Sequence, residues 1–146
     1  MIPIFYFCLV IVIAAMAQVK YFTTWNYWIH AGLIGYTYLQ STDTYLTIFW
    51  SVHTLTCDFV LIGSHLIIGL SQQSIRDRFT KNWFIMPCHV LMHILPSVVC
   101  HTFYQPYLIS MGNIYIWIMA LAQFCFYQYF YNFMVVYRIK EWNLWK

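Results

Sequence analysis

Five long runs of apolar residues, separated by short polar segments, divide this chain. They cover residues 2–19, 21–39, 44–70, 83–104 and 114–137. A helix rises about 1.5 Å per residue, so a run of roughly 20 residues is long enough to cross the hydrocarbon core of a bilayer. The runs therefore predict an all-α fold, a polytopic transmembrane helical bundle of five spans, as a single domain over residues 1–146.

Two segments allow a different placement. The second run begins at Tyr21 and ends at Leu39, and it contains Asn26 and His30, which weaken the pattern of a span. If this run lies flat at the membrane interface, with its aromatic side chains at headgroup level, the bundle has four spans. The last segment, 138–146, combines Trp with Lys, which predicts a short amphipathic tail at the interface.

Composition strengthens the membrane interpretation. The chain is 62% hydrophobic and 8% charged, whereas soluble domains carry about 25% charged residues. We therefore expect an integral membrane protein in contact with the lipid bilayer. An organelle inner membrane, a viral membrane and another cellular membrane all fit this composition. The net charge of +3 is spread over short segments without a basic face, which argues against a nucleic-acid partner.

The basic residues predict which side each end lies on. With five spans and the N-terminus outside, all seven Lys and Arg residues fall on the inner side, together with the C-terminus. That arrangement satisfies the positive-inside rule. The five cysteines lie inside apolar runs with no Cys-x-x-Cys pair, so we interpret them as buried, inert thiols rather than a disulfide framework.

An acidic residue, Asp58, lies near the middle of the third run. An ionised carboxylate at mid-bilayer costs several kcal/mol unless it is paired or protonated. We expect Asp58 to face the fourth run and to pair with His93, or with His89 through another rotamer or a water molecule. Five histidines of these two runs complete a predicted polar cluster: His53, His65, His89, His93 and His101.

This cluster supports three chemical hypotheses. A column of Asp and His at successive depths suits a proton or ion pathway, because His titrates near physiological pH. His89 and His93, four residues apart, can share a metal ion, and His65 with His89 can hold a haem between facing helices. An intramembrane hydrolase or transferase would need a nucleophile, for which the candidates are Ser64, Thr54 and Cys88.

A structural role competes with all three hypotheses, because polar residues also join helices within a bilayer. Almost no mass lies outside the apolar runs, which leaves no room for a soluble catalytic domain. We therefore favour a non-enzymatic structural or assembly subunit of a larger membrane complex, whose partners are other membrane subunits or further copies of itself. The alternative is a proton or ion pathway, or a haem- or metal-binding membrane protein, centred on the Asp and His cluster.

Overall fold

The computed structural model describes the backbone of residues 4–70, 81, 85–109 and 112–136, and their side chains except those of 65–70, 85, 86, 88–90 and 134. Within these ranges the chain is helical and forms no strand. The five longer helices are α1 (Ile4–Met16), α2 (Phe22–Leu39), α3 (Tyr45–Leu70), α4 (Ile85–Phe103) and α5 (Ile114–Phe130). A 3-10 turn (Gln105–Tyr107) and a four-residue helix, α6 (Phe133–Val136), complete the described elements.

The prediction of five membrane spans, or four, is wrong. Among the described residues, one helix is both long and apolar enough to cross a bilayer, over Tyr45–Ser64 of α3. The described helices of the first and fifth runs have 13 and 17 residues, fewer than the roughly 20 of a typical span. The sidedness deduced from five spans therefore has no support either. The predicted tail, 138–146, lies outside the described residues.

Polar side chains explain why α2 falls short of a span despite its 18 residues. Thr24, Asn26 and His30 of this helix are 2%, 2% and 0% exposed, so they face the protein interior. Polar residues lower the mean hydropathy of a helix. When they are buried, their polar groups need hydrogen-bond partners inside the fold. The residues that weaken the span pattern are thus the residues that build the interior.

Helix α3 is the centre of the fold, because α2, α4 and α5 all pack against it, while α1 packs on α2. Its most buried large side chain is Trp50, which stacks on Tyr104 with ring centroids 3.5 Å apart and donates to Thr37 Oγ1 at 2.8 Å. Val52 and Leu55 on another face of α3 pack against α5. This central position brings three helices to one buried point beside Trp50.

A polar turn joins α2 to α3. Asp43 Oδ1 accepts a hydrogen bond from the Tyr45 backbone N–H at 2.8 Å, and the Tyr36 hydroxyl donates to its other carboxylate oxygen. The bond from Tyr36, together with that from Tyr45, holds the pKa of Asp43 below its usual range. The turn thus fixes the start of α3 relative to the end of α2.

The fifth apolar run does not continue as one helix to residue 137. Helix α5 ends at Phe130, because Tyr131 adopts an extended backbone conformation. The next turn is capped by side chains: Gln128 Oε1 accepts from the Phe133 N–H and Asn132 Oδ1 from the Val135 N–H. Such side-chain acceptors replace the lost helical partners and start a new short helix.

Candidate metal centre

Four metal-ligand side chains meet inside the fold, and all four are buried: His30 of α2, His53 and Cys57 of α3, and Cys100 of α4. One ligand atom from each lies within 4.8 Å of the other three. The two ligands of α3 are four residues apart, so one helical face presents both. Within the described residues this is the one group of His, Cys, Asp and Glu side chains with such geometry.

The separations between donor atoms are close to those of a small tetrahedral site. His30 Nδ1 lies 2.7 Å from His53 Nε2, which lies 3.3 Å from Cys57 Sγ, and Cys100 Sγ lies 4.0 Å from His30 Nδ1. Bond lengths of about 2.0 Å to nitrogen and 2.3 Å to sulfur imply donor separations of roughly 3.3–3.8 Å around a tetrahedral zinc ion. The nitrogen pair must therefore open by about half an ångström to admit an ion, which a small ring rotation can supply.

Neighbouring side chains orient two of the four donors. The Tyr6 hydroxyl of α1 lies 3.1 Å from His30 Nε2, which leaves Nδ1 facing the cluster. Asn26 Nδ2 donates to Cys57 Sγ at 3.3 Å, a contact that stabilises a thiolate. Such hydrogen bonds to the ligands select the histidine tautomer and increase metal affinity. The ring of Trp50, edge-on to His30 with centroids 5.8 Å apart, closes the site on another side.

The charges of these donors fit one class of ion. Two thiolates carry two negative charges and two neutral imidazoles carry none, so a divalent cation makes the site neutral. A neutral site avoids most of the penalty for burying charge in an apolar interior. The set of two Cys and two His is also common among structural zinc sites, in which the protein supplies all four ligands.

Asp58 lies outside this cluster and faces α4, as expected from the sequence. Its described contacts are with residues further along α4 than His93: the Ser97 hydroxyl donates to Oδ1, and His101 Nε2 lies 3.0 Å from Oδ2. The Asp58 and His101 side chains are 31% and 49% exposed, so this ion pair lies at the rim of the fold. His93 instead contacts Thr23 Oγ1 of α2 at 3.4 Å.

The other predicted site residues divide into two groups. His53 belongs to the buried cluster, but its partners are His30 and Cys57 rather than the histidines proposed from the sequence. The side chains of His65, His89 and Cys88 lie outside the described part of the chain. The predicted haem pair, His65 with His89, and the predicted metal pair, His89 with His93, therefore stay predictions.

The two described nucleophile candidates each donate a hydrogen bond to a backbone carbonyl of their own helix. The Thr54 hydroxyl donates to the Trp50 carbonyl at 2.7 Å, and the Ser64 hydroxyl donates to the Leu61 carbonyl at 2.9 Å. These bonds to the preceding helical turn are usual for hydroxyl residues in helices.

Sequence reasoning missed three of the four clustered residues: His30, Cys57 and Cys100. The one available signal was His53 followed four residues later by Cys57, a spacing that places both on one helical face. In the sequence, His30 only weakens the second run as a span, and a cysteine inside an apolar run is typical of an inert thiol. The proximity of these residues depends on how α2, α3 and α4 pack, which the spacing does not reveal.

No protein-family model matches this chain, and neither curated proteins nor solved structures give a match.

Proposed function

We propose that this chain is a metal-binding helical membrane protein in which His30, His53, Cys57 and Cys100 hold one zinc ion. The observation that carries the proposal is the convergence of these four buried donors from three helices within 4.8 Å. A soft or borderline divalent ion is favoured because thiolate and imidazole are its preferred ligands. Zinc has no geometric preference of its own and accepts the tetrahedral arrangement that the helices impose.

The site geometry supports a structural ion rather than a catalytic one. Catalytic zinc keeps a coordination position for water or substrate, whereas this cluster supplies four protein ligands. His30, His53 and Cys57 are 0%, 1% and 1% exposed, and Cys100 is fully buried, so the four ligands cover the ion and a substrate would not contact it directly. The ion would instead tie α2, α3 and α4 together at their common contact.

Haem is a poorer fit to the same residues. Ligation by two histidines requires their nitrogens to face each other from opposite sides of the macrocycle. His30 Nδ1 and His53 Nε2 are 2.7 Å apart, with ring centroids at 4.9 Å, which leaves no space for a porphyrin plane between them. The proposed ligand is therefore a bare metal ion.

A membrane setting, with a role as a structural subunit, is the second part of the proposal. The span Tyr45–Ser64 of α3 supports a membrane location, and α1 and α5 add exposed apolar side chains. On α1, Ile4 is 74% and Phe5 69% exposed; on α5, Leu121 is 62% and Tyr129 84% exposed. Apolar surface of this extent is typical of contact with lipid or with a partner protein. We favour a partner of the same membrane, or a second copy of this chain.

Cobalt substitution tests the metal site directly, because Co²⁺ takes the place of zinc and reports its own coordination. The full chain, purified in detergent, should bind one equivalent of Co²⁺ and show the intense visible bands of tetrahedral cobalt with a sulfur-to-cobalt charge-transfer band. Zinc should displace the cobalt and abolish the spectrum. Metal analysis of the protein as purified should give one zinc ion per chain.

Serine variants supply the matched control. Cys57→Ser and Cys100→Ser each remove one thiolate and should lose the tetrahedral spectrum, whereas Cys125→Ser, at an exposed position on α5, should keep it. An octahedral cobalt spectrum without charge transfer in the unmodified chain would contradict the proposal. So would equal binding by the Cys57 and Cys125 variants.

A further inference from the structure

A cavity of about 240 Å³ lies beside the metal cluster, between α2, α3 and α5. Its walls are mostly apolar and come from Ile29, Leu33, Phe49, Val52 and Met119. Two polar residues also line it, His53 and Gln123. An apolar cavity of about 150 Å³ already accommodates benzene, so this one has room for a small ring with a substituent.

The two polar residues each present an unpartnered nitrogen in the interior. His53 Nδ1 and Gln123 Nε2 are buried and have no hydrogen-bond partner among the described residues. Gln123 Nε2 is an amide nitrogen and can only donate. Buried polar atoms are almost always satisfied, so two unpartnered nitrogens on residues that line one cavity point to a partner in or beside it.

The metal proposal determines the role of the histidine nitrogen, and this step of the inference rests on that proposal. If His53 Nε2 binds the ion, the ring proton is on Nδ1, which then donates. Both nitrogens are then donors, and a carbonyl oxygen, which has two lone pairs, is an acceptor suited to them. The apolar walls exclude a charged group, because an ion there would be desolvated without a counter-charge.

We infer that this cavity binds a small apolar molecule with a carbonyl oxygen, which accepts hydrogen bonds from His53 Nδ1 and Gln123 Nε2. A ketone or quinone ring and the ester carbonyl of a lipid share this chemistry. Phe49 and Met119 on the cavity wall are 41% and 39% exposed, which provides an entrance from the surface. Because His53 belongs to both sites, the carbonyl oxygen of an occupant accepts a hydrogen bond from a ligand of the ion and raises the basicity of that ligand.

Acetophenone and ethylbenzene form the test pair, since they have similar shapes and only the ketone carries an acceptor. Calorimetry on the full chain in detergent, delipidated and loaded with zinc, should give roughly tenfold tighter binding of acetophenone. The ¹⁵N resonance of His53 Nδ1 should move with acetophenone and stay in place with ethylbenzene. Binding of the ketone only after delipidation would identify a lipid ester as the resident ligand, whereas binding without delipidation would identify a free carbonyl compound.

Variants of α5 distinguish a hydrogen bond from Gln123 to the probe from apolar filling of the cavity. Gln123→Met should remove most of the preference for the ketone and leave ethylbenzene binding within about twofold. Cys125→Met, at an exposed position of the same helix, should bind both probes like the unmodified chain. Equal affinity for the two probes, no binding of either, or the same behaviour of both variants would overturn the inference.

The same measurements distinguish this inference from the metal proposal. Preference for acetophenone in a chain that does not bind Co²⁺ would support the cavity site and contradict the metal site. A tetrahedral cobalt spectrum in a chain without probe selectivity would do the reverse, and the cavity would then be a water-filled space.

Discussion

Tyr6 acts on the proposed metal site through a single hydrogen bond. Its hydroxyl contacts His30 Nε2 at 3.1 Å, and the side chain is 7% exposed. Tyr6→Phe removes the oxygen and keeps the ring, so the fold should persist. Because a partner of the distal nitrogen orients a metal-bound imidazole, we expect zinc affinity to fall by about 10–100-fold, measured by competition with a chelating dye.

The control for this prediction is Tyr129→Phe, since Tyr129 is 84% exposed and lies on α5. Its zinc affinity should equal that of the unmodified chain. If Tyr6→Phe also bound zinc normally, His30 would be oriented by packing against Trp50 alone.

The residues of the site were only partly predictable. The orientation of Asp58 towards α4 follows from the cost of a lone carboxylate, but the ion pair that it forms is with His101, two turns beyond the predicted His93. That difference arises because depth along separate apolar runs was inferred from their midpoints, and α4 is shifted along α3 relative to that assumption. The cluster of His30, Cys57 and Cys100 could not be deduced, because cysteine in an apolar run is chemically ambiguous until its neighbours are known.

Trp25 links α2 to the far half of α5. Its ring lies 5.9 Å from Phe126, 5.5 Å from Tyr127, 5.7 Å from Phe130 and 6.1 Å from Tyr131, measured between centroids. Aromatic pairs in such geometries contribute about 0.5–1.5 kcal/mol each beyond area burial. We expect Trp25→Ala to destabilise the attachment of α5 by about 2 kcal/mol, seen as faster hydrogen exchange of the backbone amides of residues 124–130.

Trp28→Ala is the matched substitution on the same helix, because Trp28 is 46% exposed. Exchange in α5 should be unchanged there. Uniform acceleration across all helices in the Trp25 variant would instead mean that α5 does not open as a separate unit.

The helices themselves lie close to the apolar runs of the sequence. Helix α2 begins one residue after Tyr21, and α3 begins one residue after Thr44. In the fifth run the length of the apolar run does not predict the length of the helix. Helix α5 ends at Phe130, and the side chains of Gln128 and Asn132 cap a new turn after it. Run length also fails as a measure of spanning, because the polar side chains of α2 are used inside the fold.

The exposed apolar surface of α5 gives a test of the proposed subunit role. We expect a photo-reactive amino acid at position 121, where Leu121 is 62% exposed, to form an adduct of discrete protein mass in the native membrane. The same group at position 116, where Ile116 is 2% exposed, should form none. Adducts to lipid alone at position 121 would show that this face of α5 has no protein partner.

The order of synthesis follows from the positions of the four clustered donors. They lie at residues 30, 53, 57 and 100, so a growing chain carries three of them well before the fourth. A three-donor site would bind an ion weakly and leave it open to exchange with cellular thiols. The proposed ion would therefore be secured only after Cys100 has been synthesised and α4 has docked, which would place metal binding late in the maturation of this protein.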